Sequence, residues 1–150
     1  MPHSYSSSLF HVVFSTRERR DLIHTAFREK LWAFVGGIAR KNGMKALAVG
    51  GTGDHLHVLL SVPTTMPIAK AVQLIKGGSS KWINDRFQDR RDFAWQEGYG
   101  AFSISISHVE ETVAYILNQE KRHRRRTFQE EFLAFLKKHR IEYDPRYVWG

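Results

Sequence analysis

Hydrophobic and polar residues alternate along the first half of the chain in blocks that predict three strands and a helix. Residues 8–15 form a near-continuous apolar run, which predicts a strand buried on both faces. Residues 25–41 repeat apolar side chains at helical spacing and therefore predict a helix. Two short strands follow at 45–49 and 55–62, joined by a Gly-rich turn at 50–54. This pair predicts an antiparallel hairpin.

The second half of the chain predicts a helix, a strand and two further helices. Residues 68–87 carry apolar side chains at helical spacing. Residues 101–107 alternate Phe or Ile with Ser, which predicts a strand with one core face and one small polar face. Two capping boxes then predict helix starts, at Ser107-x-x-Glu110 and at Thr127-x-x-Glu130. We expect the first of these helices to reach about residue 124.

The order of these elements predicts an α+β fold in a single domain over residues 1–150. Strand, helix, strand, strand, helix, strand is the split arrangement of ferredoxin-like folds, an antiparallel sheet with helices packed on one face. The two C-terminal helices come in addition to this unit. We expect the other face of the sheet to stay free for a ligand or partner.

Composition narrows the class of protein. Hydrophobic residues make up 42% and charged residues 25% of the chain, which argues against a wholly disordered protein. Cysteine is absent, which excludes disulfides, thiolate nucleophiles, Cys-ligated zinc and iron–sulfur clusters. No apolar stretch approaches the roughly 20 residues of a spanning helix. No secretory signal is visible either, so we expect a cytoplasmic protein with no membrane partner.

The positive charge of the chain points to a polyanion. The formal net charge is +8, and the basic residues bunch near residues 17–20, 121–126 and 137–140, as in nucleic-acid binders. General solubility is the alternative explanation. The candidate DNA contacts in the first two bunches are Arg17, Arg19, Arg20, Arg122, Arg124, Arg125 and Arg126.

Two lysines in the predicted second helix are weaker candidates. Lys76 and Lys81 flank Gly77-Gly78-Ser79-Ser80, which is similar to a phosphate loop but lacks the spacing of that motif. The glycine pair more simply weakens or kinks the helix. Lys76 and Lys81 are therefore predicted phosphate contacts on a helix rather than parts of a loop.

His55 and His57 form the first candidate site. Residues two apart on a strand project from the same face, with Cα atoms about 7 Å apart. Leu56 and Val58 point the opposite way, into the expected core. Two convergent imidazoles can hold one divalent metal ion. The alternative is a pair of surface histidines on a half-buried strand.

Tyr115 and Gln119 form the second candidate site. Both lie off the apolar stripe of their predicted helix, whereas a core tyrosine belongs on that stripe. Arg122 follows about one turn later on the same face. A phenol, an amide and a guanidinium could supply a nucleophile, a metal ligand and a phosphate clamp. The alternative is an exposed tyrosine on a solvated helix face.

Both candidate sites carry a family resemblance. His55-Leu56-His57 has the His–hydrophobic–His form of the HUH nucleases, and residues 115–123 resemble the nucleophile helix of single-tyrosine HUH transposases of the insertion-sequence-200-like family. The segments 10–14, 76–82 and 128–132 are also similar to that family. The resemblance extends from about residue 8 to residue 143.

The resemblance implies a concrete activity. Family members are small homodimeric enzymes that cut and rejoin single-stranded DNA at imperfect hairpins near the ends of a mobile element. It implies that Tyr115 is the nucleophile, forming a 5′-phosphotyrosine, and that His55, His57 and Gln119 bind Mg²⁺ or Mn²⁺. It also implies an active site that can be composite, completed by the tyrosine helix of the partner subunit, in a bacterial or archaeal enzyme acting at the nucleoid.

Two other functions stay open from the sequence. The first is a non-catalytic module that binds single-stranded or hairpin nucleic acid through the basic clusters alone. The second is a domesticated relative that acts on chromosomal repeat hairpins with the same chemistry. A tyrosine-dependent covalent adduct would distinguish the first of these from a transposase.

Overall fold

Four strands form one antiparallel sheet at the centre of the computed structural model, which describes residues 5–87, 92–122 and 126–149. The strands are β1 (Leu9–Ser15), β2 (Lys45–Gly51), β3 (His55–Ser61) and β4 (Gly100–Ile104). Their spatial order is β2-β3-β1-β4, and each neighbouring pair is antiparallel. This is the ferredoxin-like arrangement, so the predicted α+β fold class is confirmed.

The described helices follow the predicted order. They are α1 (Thr25–Lys41), α2 (Ile68–Arg86), α3 (Val109–Leu117), α4 (Gln119–Arg122) and α5 (Phe128–Lys138). The predicted capping box at the start of α5 is confirmed: the Thr127 hydroxyl accepts from the Glu130 amide, and the Glu130 carboxylate accepts from the Thr127 amide, both at 3.2 Å. No helix within the described ranges combines the length and apolar character needed to cross a membrane.

Helices cover both faces of the sheet. Helices α1 and α2 pack on the face that carries Val12, Phe14 and Val58. Helices α3 and α5 pack on the opposite face, where Phe102 joins the buried apolar side chains of α5. The expectation of a free second face is therefore wrong, because the apolar stripes of the C-terminal helices need a surface to bury against.

The region between β4 and α3 differs from the prediction. Strand β4 ends at Ile104, and Ile106–His108 form a 3₁₀ turn in which Ile106 is 74% exposed. Ser107 does not cap the helix, which begins at Val109 without a side-chain cap. The hydroxyls of Ser105 and Ser107 instead contact His108 Nδ1, at 2.7 and 3.4 Å, which explains the lost capping box.

The predicted long third helix is broken in the structure. Helix α3 ends at Leu117, Asn118 leaves helical geometry, and the short helix α4 follows. The expected end near residue 124 lies outside the described residues. The break allows the chain to turn after α3 while keeping Tyr115 and Gln119 close together.

Two glycines permit close packing of helices. Strand β2 runs through Gly50, where a Cβ would collide with the carbonyl oxygen of Ile116, so α3 approaches the strand more closely than any other residue would allow. Because β2 extends to Gly51 and β3 begins at His55, the turn spans residues 52–54 instead of the predicted 50–54. Helix α2 continues through the glycine pair, and at Gly78 a Cβ would lie 2.8 Å from the Cδ1 of Ile38 in α1.

Candidate active site

The two histidines of β3 lie side by side beneath the C-terminal helices. His55 and His57 project from the same face, as predicted, with ring centroids 5.1 Å apart. Both side chains are fully buried. The alternative of two surface histidines is wrong, because α3, α4 and α5 cover this face of the sheet. Buried polar groups in such a place need partners, and the partners define the site.

Glu131 of α5 faces both histidines. Its Oε1 lies 2.9 Å from His57 Nε2 and 3.9 Å from His55 Nε2. One ligand atom from each of the three residues lies within 4.8 Å of the others, a cluster that could hold a metal ion. No sequence motif assigned a chemical role to Glu131. Its position on the buried face of α5, three residues after Phe128, was the available signal.

Gln119 brings a fourth donor to the histidines. Its Oε1 lies 3.1 Å from His55 Nε2, and its side chain is almost fully buried. Its Nε2 donates to the Tyr115 carbonyl at 3.1 Å, which directs the amide oxygen towards His55. The structure therefore brings together all three residues that the sequence predicted as metal ligands, with Glu131 in addition.

Tyr115 reaches this cluster from α3. Its hydroxyl donates a hydrogen bond to Glu131 Oε2, and its ring centroid lies 5.8 Å from that of His57 in an edge-on contact. The side chain is partly buried, so the alternative of an exposed tyrosine is wrong. Within a single chain, the phenol and the two imidazoles contact the same carboxylate.

An outer set of hydrogen bonds fixes the histidine rings. His57 Nδ1 lies 2.7 Å from His11 Nε2 on β1, and His55 Nδ1 lies 2.7 Å from Asp54 Oδ1. Burial lowers the pKa of His11 to about 3, with a further contribution from His57, so His11 is neutral and can accept a hydrogen bond. Neither His11 nor Asp54 was predicted from the sequence to have a chemical role.

The donor set fits a divalent cation. A histidine that binds a cation through Nε2 carries its proton on Nδ1 and donates it to a neighbouring acceptor. His11 Nε2 and Asp54 Oδ1 are such acceptors for His57 and His55 respectively. The Nε2 atoms then face Glu131 and Gln119, which offer a carboxylate and an amide oxygen.

Several predicted DNA contacts lie at the His55 end of the sheet. Ser15 of β1 pairs with His55, and the exposed turn that carries Arg17, Arg19 and Arg20 follows directly. The Arg19 guanidinium lies over the Trp149 ring at 5.4 Å. Arg126 is exposed just before α5. Their role in DNA binding stays a prediction.

The two lysines of α2 have different surroundings. Lys76 donates to the carbonyl oxygens of Gln96 and Gly98, at 2.5 and 3.1 Å, and burial lowers the pKa of its ammonium. Lys81 is exposed, pairs with Asp85 at 3.1 Å, and lies on the α1–α2 side, across the sheet from Tyr115. Neither lysine contacts the histidine cluster. Arg124, Arg125 and the side chain of Arg122 lie outside the described part of the chain.

Comparison with known proteins identifies the family. The model of a family described as IS200-like transposases matches residues 4–119. The chain therefore belongs to the IS200-like transposase family and is an enzyme of the DNA transposase class. It is 22% identical over 129 residues to the transposase for insertion sequence element IS200 of Salmonella typhimurium, covering 81% of this chain and 84% of the relative. The corresponding Salmonella typhi protein gives the same values.

Solved structures share the fold. A crystal structure of a candidate transposase from Deinococcus radiodurans R1 aligns with a TM-score of 0.65 and 22% identity, covering 79% of this chain and 96% of that chain. A REP-associated tyrosine transposase bound to a REP hairpin aligns with a TM-score of 0.56 and 16% identity, covering 77% and 68%. Helix α5, with Glu131, lies beyond the segment that the family model matches.

Proposed function

We propose that this transposase cuts and rejoins single-stranded DNA through a covalent bond between Tyr115 and a 5′-phosphate. The observation that carries the proposal is the placement of Glu131. One of its carboxylate oxygens accepts a hydrogen bond from the Tyr115 hydroxyl, and the other lies within hydrogen-bond distance of His57 Nε2. A nucleophile and a cation site that share one carboxylate can act on the same phosphate.

We propose that His55, His57, Glu131 and Gln119 hold a divalent cation, Mg²⁺ or Mn²⁺. Two imidazole nitrogens and two oxygens suit Mn²⁺ better than Mg²⁺, because Mg²⁺ prefers an all-oxygen set. When bound, the cation would polarise a phosphate oxygen and offset the negative charge that builds up during attack. Asp54 and His11 orient the two ligand imidazoles through their Nδ1 atoms.

The chemistry assigned to the protein side chains balances. The Tyr115 oxygen attacks phosphorus, a Tyr–O–P bond forms, and the bond from phosphorus to the 3′-oxygen breaks. The phenol proton passes to Glu131 Oε2, the atom that already accepts its hydrogen bond. The leaving 3′-oxygen takes up one proton, supplied by protonated Glu131 through solvent. The products are a 5′-phosphotyrosine and a free 3′-OH, so rejoining by the reverse attack needs no ATP.

Hairpin-bearing DNA is the substrate that we propose. The net charge of +8 supports attraction to phosphates, and a structural neighbour bound to a REP hairpin supports a hairpin ligand for this chain. Because each chain offers one Tyr115, two simultaneous cuts require two chains, which supports a homodimer. A DNA substrate places the enzyme in the cytoplasm, acting at the nucleoid.

A covalent-adduct assay tests the proposal. The protein is incubated with Mn²⁺ and single-stranded oligonucleotides that cover hairpins in the DNA flanking its coding sequence, then separated under denaturing conditions. We expect an adduct that Tyr115→Phe abolishes while hairpin binding survives. The matched control, Tyr147→Phe, alters an exposed tyrosine that is not part of the His55–His57–Glu131 cluster and should leave the adduct intact. An adduct that persists in Tyr115→Phe would show that another residue is the nucleophile.

A further inference from the structure

A cleft opens beside the Tyr115 phenol, outside the cation site. It has a volume of about 500 Å³ and lies between β4, the start of α3 and the C-terminal end of α5. Tyr115 forms part of its wall, so an occupant of the cleft would lie against the side chain of the proposed nucleophile. The volume lies in the range of small-ligand pockets, and it is too small for a double helix.

One wall of the cleft is aromatic. Phe135 and His139 are partly exposed on α5 and its end, and Phe102 packs behind them with ring centroids 5.3 Å and 4.6 Å away. Phe135 also contacts the Tyr115 ring edge-on at 5.8 Å. Flat aromatic walls of this kind accept unpaired nucleic-acid bases by stacking, with little dependence on which base is present.

The polar groups of the cleft suit a nucleotide better than a bare anion. Lys138 supplies an exposed ammonium for a phosphate. His139 Nδ1 donates to the Phe135 carbonyl at 2.9 Å, so Nε2 is the ring nitrogen left for a ligand. Glu111 adds a carboxylate to the same lining, which disfavours a small anion but can accept from the amino group of a base.

We propose that this cleft binds one nucleotide next to the scissile phosphate, with its base turned out of the strand and stacked on Phe135 and His139. This inference rests on the proposed function, and it names the part of the substrate that the site holds. Lys138 and His139 are positioning residues in this account, because they hold the strand while Tyr115 attacks. Both lie beyond the segment 4–119 that the family model matches.

Base removal combined with mutation tests the cleft. Abasic nucleotides are placed one at a time within three positions on each side of the cleavage point, and adduct formation is measured. We expect an abasic nucleotide at one of these positions to raise KM by about tenfold, which is the effect expected from the loss of one stacking contact. In His139→Ala, KM for the intact strand should rise similarly, and the abasic change at that position should have no further effect. His139→Phe, which keeps a ring, should restore most of the loss.

The matched lysines separate local from general charge effects. Lys138→Gln should raise KM more than Lys137→Gln, which removes the same charge from another part of the α5 surface. Unfolding curves in urea establish that each variant is folded. Equal increases in KM for the two lysine variants would overturn the inference. So would an abasic nucleotide that raises KM in His139→Ala by the same factor as in the wild type.

A binding measurement keeps this test separate from the chemistry. In the Tyr115→Phe background, the fluorescence of 2-aminopurine at the sensitive position should fall when the DNA binds. Adding His139→Ala should abolish this decrease in fluorescence. An adduct that survives Tyr115→Phe defeats the proposed nucleophile alone. Unchanged 2-aminopurine fluorescence at all six positions, with hairpin binding intact, would contradict nucleotide binding in the cleft and leave the proposed nucleophile unaffected.

Discussion

The imidazole of His11 determines how His57 presents its nitrogen atoms. When His57 binds a cation through Nε2, the neutral His11 can accept a hydrogen bond from His57 Nδ1, and Nε2 lies on the side of Glu131. This arrangement depends on burial, because burial is the main reason that the pKa of His11 falls to about 3. His11 therefore acts on the proposed cation site through His57.

Substitution of His11 should weaken cation binding. We expect His11→Phe to lower Mn²⁺ affinity roughly 10–100-fold, the usual cost of losing an outer hydrogen-bond partner. His11→Gln should retain more affinity, because its amide oxygen can accept from Nδ1. Isothermal titration calorimetry measures both, with His57→Ala as the variant that loses a proposed ligand. If His11→Phe and His11→Gln lose Mn²⁺ affinity equally, His11 contributes only by packing.

The same histidine should make the cation-free protein sensitive to acid. The unfolded chain protonates His11 near its ordinary pKa of 6.5, whereas the folded chain does so only near a pKa of about 3. Between these values the unfolded state binds more protons, so the free energy of unfolding falls as pH falls, by at most about 1.4 kcal/mol per pH unit. Urea unfolding from pH 7 to pH 4 in EDTA should show a shallower slope in His11→Gln than in wild type. Identical slopes would count against this titration.

The sequence predicted some of these residues and not others for a physical reason. His55 and His57 share a face because strand geometry alone requires it, and Tyr115 and Gln119 are close because they are four residues apart. Glu131 and His57 are separated by 74 positions, and His11 and His57 by 46, so only the tertiary fold brings them together. A glutamate on the buried stripe of α5 was a local sign of this site.

At the level of elements, the position of α3 depends on its contact with β2. Gly50 leaves room for the Ile116 carbonyl, and Ile116 is buried next to Tyr115 in the same helix. The helix cannot keep this distance if the strand carries a side chain at that position.

A methyl group at Gly50 should therefore displace α3, the helix that carries the proposed nucleophile Tyr115. We expect Gly50→Ala to destabilise the protein by about 1–3 kcal/mol, as overpacking does, and to slow adduct formation. Gly77→Ala is the matched control, because its Cβ meets nothing within 4 Å and alanine favours a helix interior. Urea unfolding and adduct rates measure both variants. A Gly50→Ala protein with wild-type stability and rate would contradict the role of this close approach.

Helix and strand boundaries were predicted where local signals dominate. Helix α1 begins and ends as its periodicity predicts, and α5 begins at its capping box. The prediction failed between β4 and α3, where the pattern of Ile and Ser continues beyond Ile104 but the chain turns away from the sheet. In that segment, contacts of Ser105 and Ser107 with His108 outweigh the alternating pattern.

At the scale of the whole molecule, one chain contains the complete set of proposed catalytic groups. Tyr115 contacts Glu131 of its own chain, and Glu131 contacts His57 of its own chain. A composite site completed by a partner subunit, which the family resemblance allowed, is not needed to bring these groups together.

Mixed variants should therefore fail to complement each other. Tyr115→Phe and His57→Ala proteins each lack one proposed catalytic group, and an equimolar mixture refolded together should form no adduct if each site uses its own tyrosine. Wild-type protein diluted with either variant provides the positive control. Adduct formation by the mixture would show that the tyrosine helix is exchanged between subunits.

In the proposed mechanism, the layered architecture also favours one form of DNA over another. The imidazoles and the carboxylate lie in the interior between the sheet and the C-terminal helices, and the partly buried Tyr115 lines a cleft of about 500 Å³. Double-stranded DNA is too broad to bring its backbone to that depth, whereas a flexible single strand of DNA can enter. If Tyr115 is the nucleophile, the fold therefore requires that the duplex be melted before the first cut.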